Sequence, residues 1–190
     1  MTLPDLGRHA LEVAPDLLGA RLISDAGGIR TEVRLREVEA YGGPEDPASH
    51  AAGGPTPRCE TMFARPGTLY VYLSYGVHWL ANVVTGAEGE GQAVLLRGGL
   101  PVEGVEAMEA RRGRSGHLTD GPGKLGAAMA IGPQHNGLDL LDPNSEIRLE
   151  PGPLPASYRT TKRIGITRAV DYPWRFLASP AAMRTDSDSK

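Results

Sequence analysis

Sulfur chemistry is almost absent from this chain. Its single cysteine, Cys59, excludes an intrachain disulfide and any zinc site built on several thiolates. Nothing around it marks the thiol as more than a bystander in a loop. Long apolar runs are missing too: none approaches the roughly 20 residues a membrane helix needs, so no membrane association is expected. The opening MTLPDLGRHALEV has neither the basic start nor the apolar middle of a secretory signal, which leaves the cytoplasm as the expected compartment. A basic surplus is lacking as well. The formal net charge of −3 argues against a nonspecific nucleic-acid binder acting through overall attraction. The charge is uneven, however: acids dominate the first half, while EARRGRSGH, Lys124 and RTTKRIGITR leave room for a local basic face. Several site signatures are also missing. GPGKL has neither the spacing nor the Ser or Thr of a phosphate-binding loop, and there is no GxGxxG after a strand, no HExxH and no GxSxG. A mechanism without metal is therefore expected.

What is present fits one domain of 190 residues, taken as 1–180, with a disordered tail over 181–190. RHALEVAPDLL reads as a short helix closed by Gly19, with Pro15 set to break it. ARLIS, the turn DAGG and IRTEVRLREVEAY read as strand, turn, strand. Residues 42–61 are rich in Gly, Pro, Asp, Ser and Thr and form a long loop of the kind that carries binding surfaces. PGTLYVYLSYGVHWLANVV is a second hairpin reversing near Ser74, Tyr75 and Gly76, and QAVLLRGG a buried strand ending at Arg97. VEGVEAMEARR and GPGKLGAAMAIG are helices, and EIRLEPG, RIGIT and WRFLAS further short strands. The sum is an α+β fold: a curved, mostly antiparallel β-sheet with a protruding β-hairpin and flanking helices.

Two places could carry chemistry. Strand alternation points Glu39 and Tyr41 to the same side, where the strand runs out into the long loop. A carboxylate there can activate water or stabilise a developing cation; the alternative is a surface glutamate paired with Arg34 or Arg36. The second place is the hairpin, where Tyr70, Tyr72 and Tyr75 gather in a chain with only 5% aromatic residues. Such a cluster is either core or a stacking platform for a flat ligand. Core suits Tyr70; a tyrosine at a hairpin tip has little to pack against, so Tyr75 is a candidate wedge. His50, taken alone, is an ordinary loop histidine.

EVEAYGGPEDPASHAAGG, TPRCETMFARPGTLYVYLSYGVHWLANVV, AVLLRGGLPVEG and GPGKLGAAMAI, in this order, resemble the alkyladenine (3-methyladenine) DNA glycosylase family across about residues 15–178. The resemblance implies a monomeric repair enzyme, without cofactor, that flips a damaged purine out of double-stranded DNA and hydrolyses its bond to deoxyribose. It implies that Glu39 is the general base, with Arg97 and the carbonyl of Ile164 holding the attacking water. Tyr41, His50 and Tyr72 would enclose the flipped base, Asn82 would crowd the exocyclic amine of guanine, Tyr75 would fill the vacated gap and Lys124 would meet phosphate. A noncatalytic sensor of distorted DNA, binding through the tyrosine hairpin, is the rival; it would need the stacking but not the carboxylate.

Overall fold

The molecule, seen in a computed structural model, is described over residues 2–179; the expected tail at 181–190 lies outside the described residues. Helix α1 (Ala10–Asp16) runs one residue past Pro15 before Gly19 turns the chain at φ 89°. The strands are β1 (Arg21–Ser24), β2 (Thr31–Tyr41), β3 (Leu69–Ser74), β4 (His78–Thr85), β5 (Gln92–Glu103), β6 (Ile147–Glu150), β7 (Tyr158–Thr161) and β8 (Arg175–Ala178). They form one antiparallel sheet, six of them in the order β3-β4-β5-β2-β1-β6, with β8 branching off β2 and β7 pairing with β8. The α+β reading holds. Helices α2 (Val105–Arg112) and α3 (Pro122–Ala128) accompany the sheet, and α3 comes so close to β4 that a Cβ on Gly126 would lie 2.2 Å from the Trp79 carbonyl oxygen.

Strand β2 is the spine. Along one edge it pairs with β5; along the other, its first half pairs with β1 and Glu37–Glu39 pair with β8. The ladder with β5 shifts three times: once near its start, between Glu32↔Glu103 and Val33↔Pro101, and twice at its middle, passing from Leu35↔Gly99 to Glu37↔Gly98 and then to Val38↔Leu96. Arg36 and Arg97 are therefore the extra residues of the two middle bulges, which bend and twist the strands there. The bulge at Arg36 changes the phase of the strand. Before it the odd-numbered Val33 and Leu35 face the main core; after it the even-numbered Val38 and Ala40 do. Glu37, Glu39 and Tyr41 are thereby released to the opposite face.

Two expectations need correction. Strand β5 does not end at Arg97 but continues to Glu103, since Gly98 and Gly99 let the Thr119 and Arg34 backbones approach where a Cβ would clash. RIGIT is not a strand: the β8 partner is Tyr158–Thr161, while Arg163 turns inward and Gly165 takes φ 78°. The long loop is also better packed than its composition implies. Ala51, Cys59 and Met62 form a second apolar cluster with Tyr70, Val84 and Ala93, so Cys59 is a core residue, 1% exposed, and not a loose bystander.

Candidate active site

Glu39 is fully buried, yet its surroundings are polar. Oε1 accepts the Ile164 amide at 2.8 Å and lies 3.3 Å from Arg97 Nη1, while Oε2 accepts the Tyr41 hydroxyl at 3.0 Å. Neither Arg34 nor Arg36 pairs with it, which removes the surface-pair alternative. The carboxylate, at the strand end expected to face a cleft, has no accessible surface of its own and is reached only through its neighbours. Ile164 touches Glu39 through its N–H and also lines the cavity beside it.

Arg97 does not serve Glu39 alone. Its Nε donates to Glu37 Oε1 at 2.8 Å, and Arg175 Nε donates to the same oxygen at 2.7 Å. The bulge at Arg97 sets this side chain between two glutamates of the neighbouring strand. The glutamates titrate in opposite directions. For Glu39, burial raises the pKa above the ordinary carboxylate range, and the opposing pull of Arg97, the Ile164 amide and the Tyr41 hydroxyl does not cancel it. For Glu37, burial also pushes upward, but hydrogen bonds from Arg175 and Arg97 prevail and the pKa falls.

In front of Glu39 opens a cavity of about 740 Å³, lined by Tyr41, Arg97 and Ile164 on the carboxylate side and by His50, Tyr72 and Asn82 farther along. This size suits a small-molecule or nucleotide pocket. Tyr72 stacks on buried Tyr70 with centroids 5.5 Å apart and meets the His50 ring edge-on at 4.5 Å. The Tyr70 hydroxyl fixes His50 Nδ1 at 3.0 Å and donates to the Arg58 carbonyl, tying the long loop to the hairpin. Burial, helped by Arg58, lowers the His50 pKa; burial likewise raises Tyr72, to about 12. At neutral pH these walls are uncharged. Asn82 gives its side-chain N–H to the Tyr70 carbonyl at 3.1 Å, which fixes the rotamer it presents to the cavity.

Tyr75 stands at the mouth, 87% exposed, at the tip of the β3–β4 hairpin. Lys124 also lines the cavity and pairs with Asp120 at 3.0 Å. All nine residues singled out from the sequence thus belong to one cavity or its immediate backing. Sequence reasoning passed over others. Arg58, Arg112 and Arg168 line the same mouth and have no ion-pair partner among the described residues. Among the described residues no group of three or more His, Cys, Asp or Glu is placed to hold a metal, and no helix is long and apolar enough to cross a membrane.

With this geometry in view, comparison with known proteins is decisive for the family. The model of the methylpurine-DNA glycosylase family matches residues 5–181. The chain belongs to that family. Relatives bearing the name 3-methyladenine DNA glycosylase include one from Rhodopseudomonas palustris, 49% identical over 172 residues, spanning 89% of this chain and 82% of the relative. Another from Cutibacterium acnes is 46% identical over 180 residues, 90% of this chain and 92% of the relative. A third, from Agrobacterium fabrum, is 49% identical over 172 residues, with 89% and 83% covered. Membership makes the chain a DNA glycosylase, a hydrolase of N-glycosyl bonds. Within the family frame, Glu37, Arg175, Asp46 and Arg163 are the additional side chains that this structure groups behind the cavity wall.

Proposed function

We propose that this glycosylase takes an alkylated purine, such as 3-methyladenine or 7-methylguanine, out of duplex DNA into the tyrosine-lined cavity and hydrolyses its N-glycosidic bond, with Glu39 activating the water. Hypoxanthine and etheno-adenine are further candidates. The observation that carries the reading is the buried Glu39 carboxylate, bound to three groups of the wall of an aromatic cavity beneath an exposed tyrosine.

Each part has a physical reason. Alkylation at a ring nitrogen makes the base cationic, hence both a good leaving group and a partner for electron-rich rings, each such contact contributing about 0.5 to 2 kcal/mol. Tyr41, Tyr72 and neutral His50 offer those rings; the Arg163 guanidinium over Tyr41 is neutralised by Asp46, Arg97 and Arg175 are balanced by Glu37 and Glu39, and Arg58, 5.9 Å from the Tyr72 centroid, is the cation a charged base would have to displace from that ring. A carboxylate offers about four lone-pair positions; Glu39 gives two to hydrogen bonds, from Ile164 and Tyr41, and faces Arg97 at 3.3 Å, which leaves acceptor capacity for a water. Ile164 is half exposed at the wall, and a shift of its side chain opens the route. Water oxygen then attacks C1′ as the C1′–N bond breaks, the base departs with the bonding electrons, and Glu39 takes the proton while stabilising the cation-like sugar. Flipping costs a few kcal/mol of lost stacking, and Tyr75 fills the gap left behind. Arg58, Arg112, Arg168 and Lys124 around the mouth favour phosphates.

The test is base release. Methylated duplex is incubated with the protein and with Glu39→Gln, and free base is measured; the variant should be slower by about a hundred- to ten-thousand-fold while still binding the lesion. Equal release by both would remove Glu39 from the reaction, and lesion binding without release by either would point to a sensor.

A further inference from the structure

Immediately before Ile164 stands an arginine that the reaction as described does not use. The Arg163 side chain has no accessible surface, and neither has that of its partner Asp46. Nη1 and Nη2 hold the two Asp46 carboxylate oxygens in a fork, and Nη1 also donates to the Ala40 carbonyl at 3.0 Å, on the residue between Glu39 and Tyr41. The guanidinium lies between two rings, 4.7 Å from the centroid of Tyr41 and 4.9 Å from that of Trp174. Asp46 in turn accepts the Gly42 and Ala48 amides, so the same pair organises the start of the long loop.

A buried arginine held this way determines where its neighbours go. It joins three pieces of chain that share no strand pairing with one another: the end of β2, the loop at Asp46 and the irregular segment after β7. We propose that the Arg163–Asp46 pair is a positioning device for catalysis, which fixes the Ile164 amide on Glu39 and backs the Tyr41 ring, so that the carboxylate and the base-binding wall keep their relative places. This rests on the reading of Glu39 as the general base. Arg163 is a positioning residue and touches no reacting atom.

A purely structural role would differ in one respect. The Ile164 amide is among the groups that oppose the burial-driven rise of the Glu39 pKa. The others facing Glu39 are Tyr41 on its own strand, Arg97 from β5, Arg175 from β8 and the Tyr72 ring from β3. None of these contacts Arg163 except Tyr41. Loosening the pair therefore lets the Ile164 donor drift and raises the pH at which Glu39 becomes ionised.

The experiment measures single-turnover base release against pH for Arg163→Lys, which keeps a cation but loses the fork and the planar stack, and for Asp46→Asn, which keeps the shape but not the charge. Both should bind lesion duplex within about twofold of wild type, release base about tenfold more slowly, and show the acid limb at higher pH. A rate and limb equal to wild type in folded variants would overturn the proposal. So would a fall in rate and binding together, in proportion to the fraction folded, with the limb unmoved. Should the wild-type acid limb persist in Glu39→Gln, the failure would lie with the Glu39 reading instead.

Discussion

Glu37 and Glu39 sit two positions apart on one strand, and their environments move their pKa values in opposite directions. Two arginine hydrogen bonds lower the pKa of Glu37, so it serves as the fixed counter-ion; burial raises that of Glu39, which therefore takes up a proton the more readily of the two. A consequence for stability follows. Between the ordinary carboxylate pKa of the unfolded chain and the raised value of the folded one, the native state binds more protons, so the contribution of Glu39 to stability is greatest under acid conditions and is lost as pH rises through its folded pKa. Replacing it with glutamine removes that loss. Glu39→Gln should thus raise the thermal unfolding midpoint most on the alkaline side of the folded Glu39 pKa and progressively less as the medium is acidified, whatever it does to base release. Melts at a series of pH values check this, and a variant less stable than wild type at every pH would mean that Glu39 holds the fold together.

The hairpin is the element on which sequence and structure agree most closely. Ser74 accepts the Val77 amide at 3.1 Å, and the two residues between have φ of 50° at Tyr75 and 71° at Gly76, the left-handed pair of a type I′ turn. Glycine suits that conformation and tyrosine does not: a bulky residue there costs about 1 kcal/mol or somewhat more. With 87% of Tyr75 exposed, no packing offsets the strain. Tyr75→Gly should therefore leave the protein as stable or more stable by up to about 1 kcal/mol in denaturant melts, while weakening capture of a lesion in duplex. A loss of stability would show that the ring is structural. The turn, the tyrosine cluster and the strand carrying Glu39 were legible because each is a local pattern in the chain. The bulge that turns Glu39 out of the core was only half legible: Val33, Leu35, Val38 and Ala40 carry the phase break in their spacing, but the alternation was read forward from Glu39 alone. The Arg163–Asp46 pair was not legible at all, since the partners are 117 residues apart and RIGIT on its own reads as a strand. Arg97 was found through the family resemblance, whereas its bond to Glu37 depends on a register that only the folded sheet reveals.

At the scale of the whole molecule the difficulty is charge, because a chain of net −3 has to hold a polyanion. The distribution resolves it. Most arginines of the sheet are already paired: Arg21 with Glu32, Arg30 with Glu103, Arg148 with Asp25, Arg175 with Glu37. Such pairs contribute little field at a distance. Of the arginines without an ion pair among the described residues, Arg34, Arg36, Arg111, Arg114 and Arg159 lie elsewhere, while Arg58, Arg112 and Arg168 border the cavity proposed to take the base. Arg112 also keeps a buried Nε without a hydrogen-bond partner. If these side chains meet phosphates, each contact releases counterions, and the logarithm of the binding constant falls against the logarithm of salt with a slope of about 0.9 per contact. Changing any one of them to alanine should then reduce the slope by about 0.9 on damaged and undamaged duplex alike, leaving single-turnover release from the saturated complex nearly unchanged. Salt titrations of duplex binding supply the numbers. A slope indifferent to all three substitutions would place the DNA on another face, and the exposed Tyr75 would then be turned away from the strand it is meant to enter. The same measurement on a far-side arginine such as Arg148, held by Asp25 and Glu150, supplies the contrast, for its loss should leave the slope where it was.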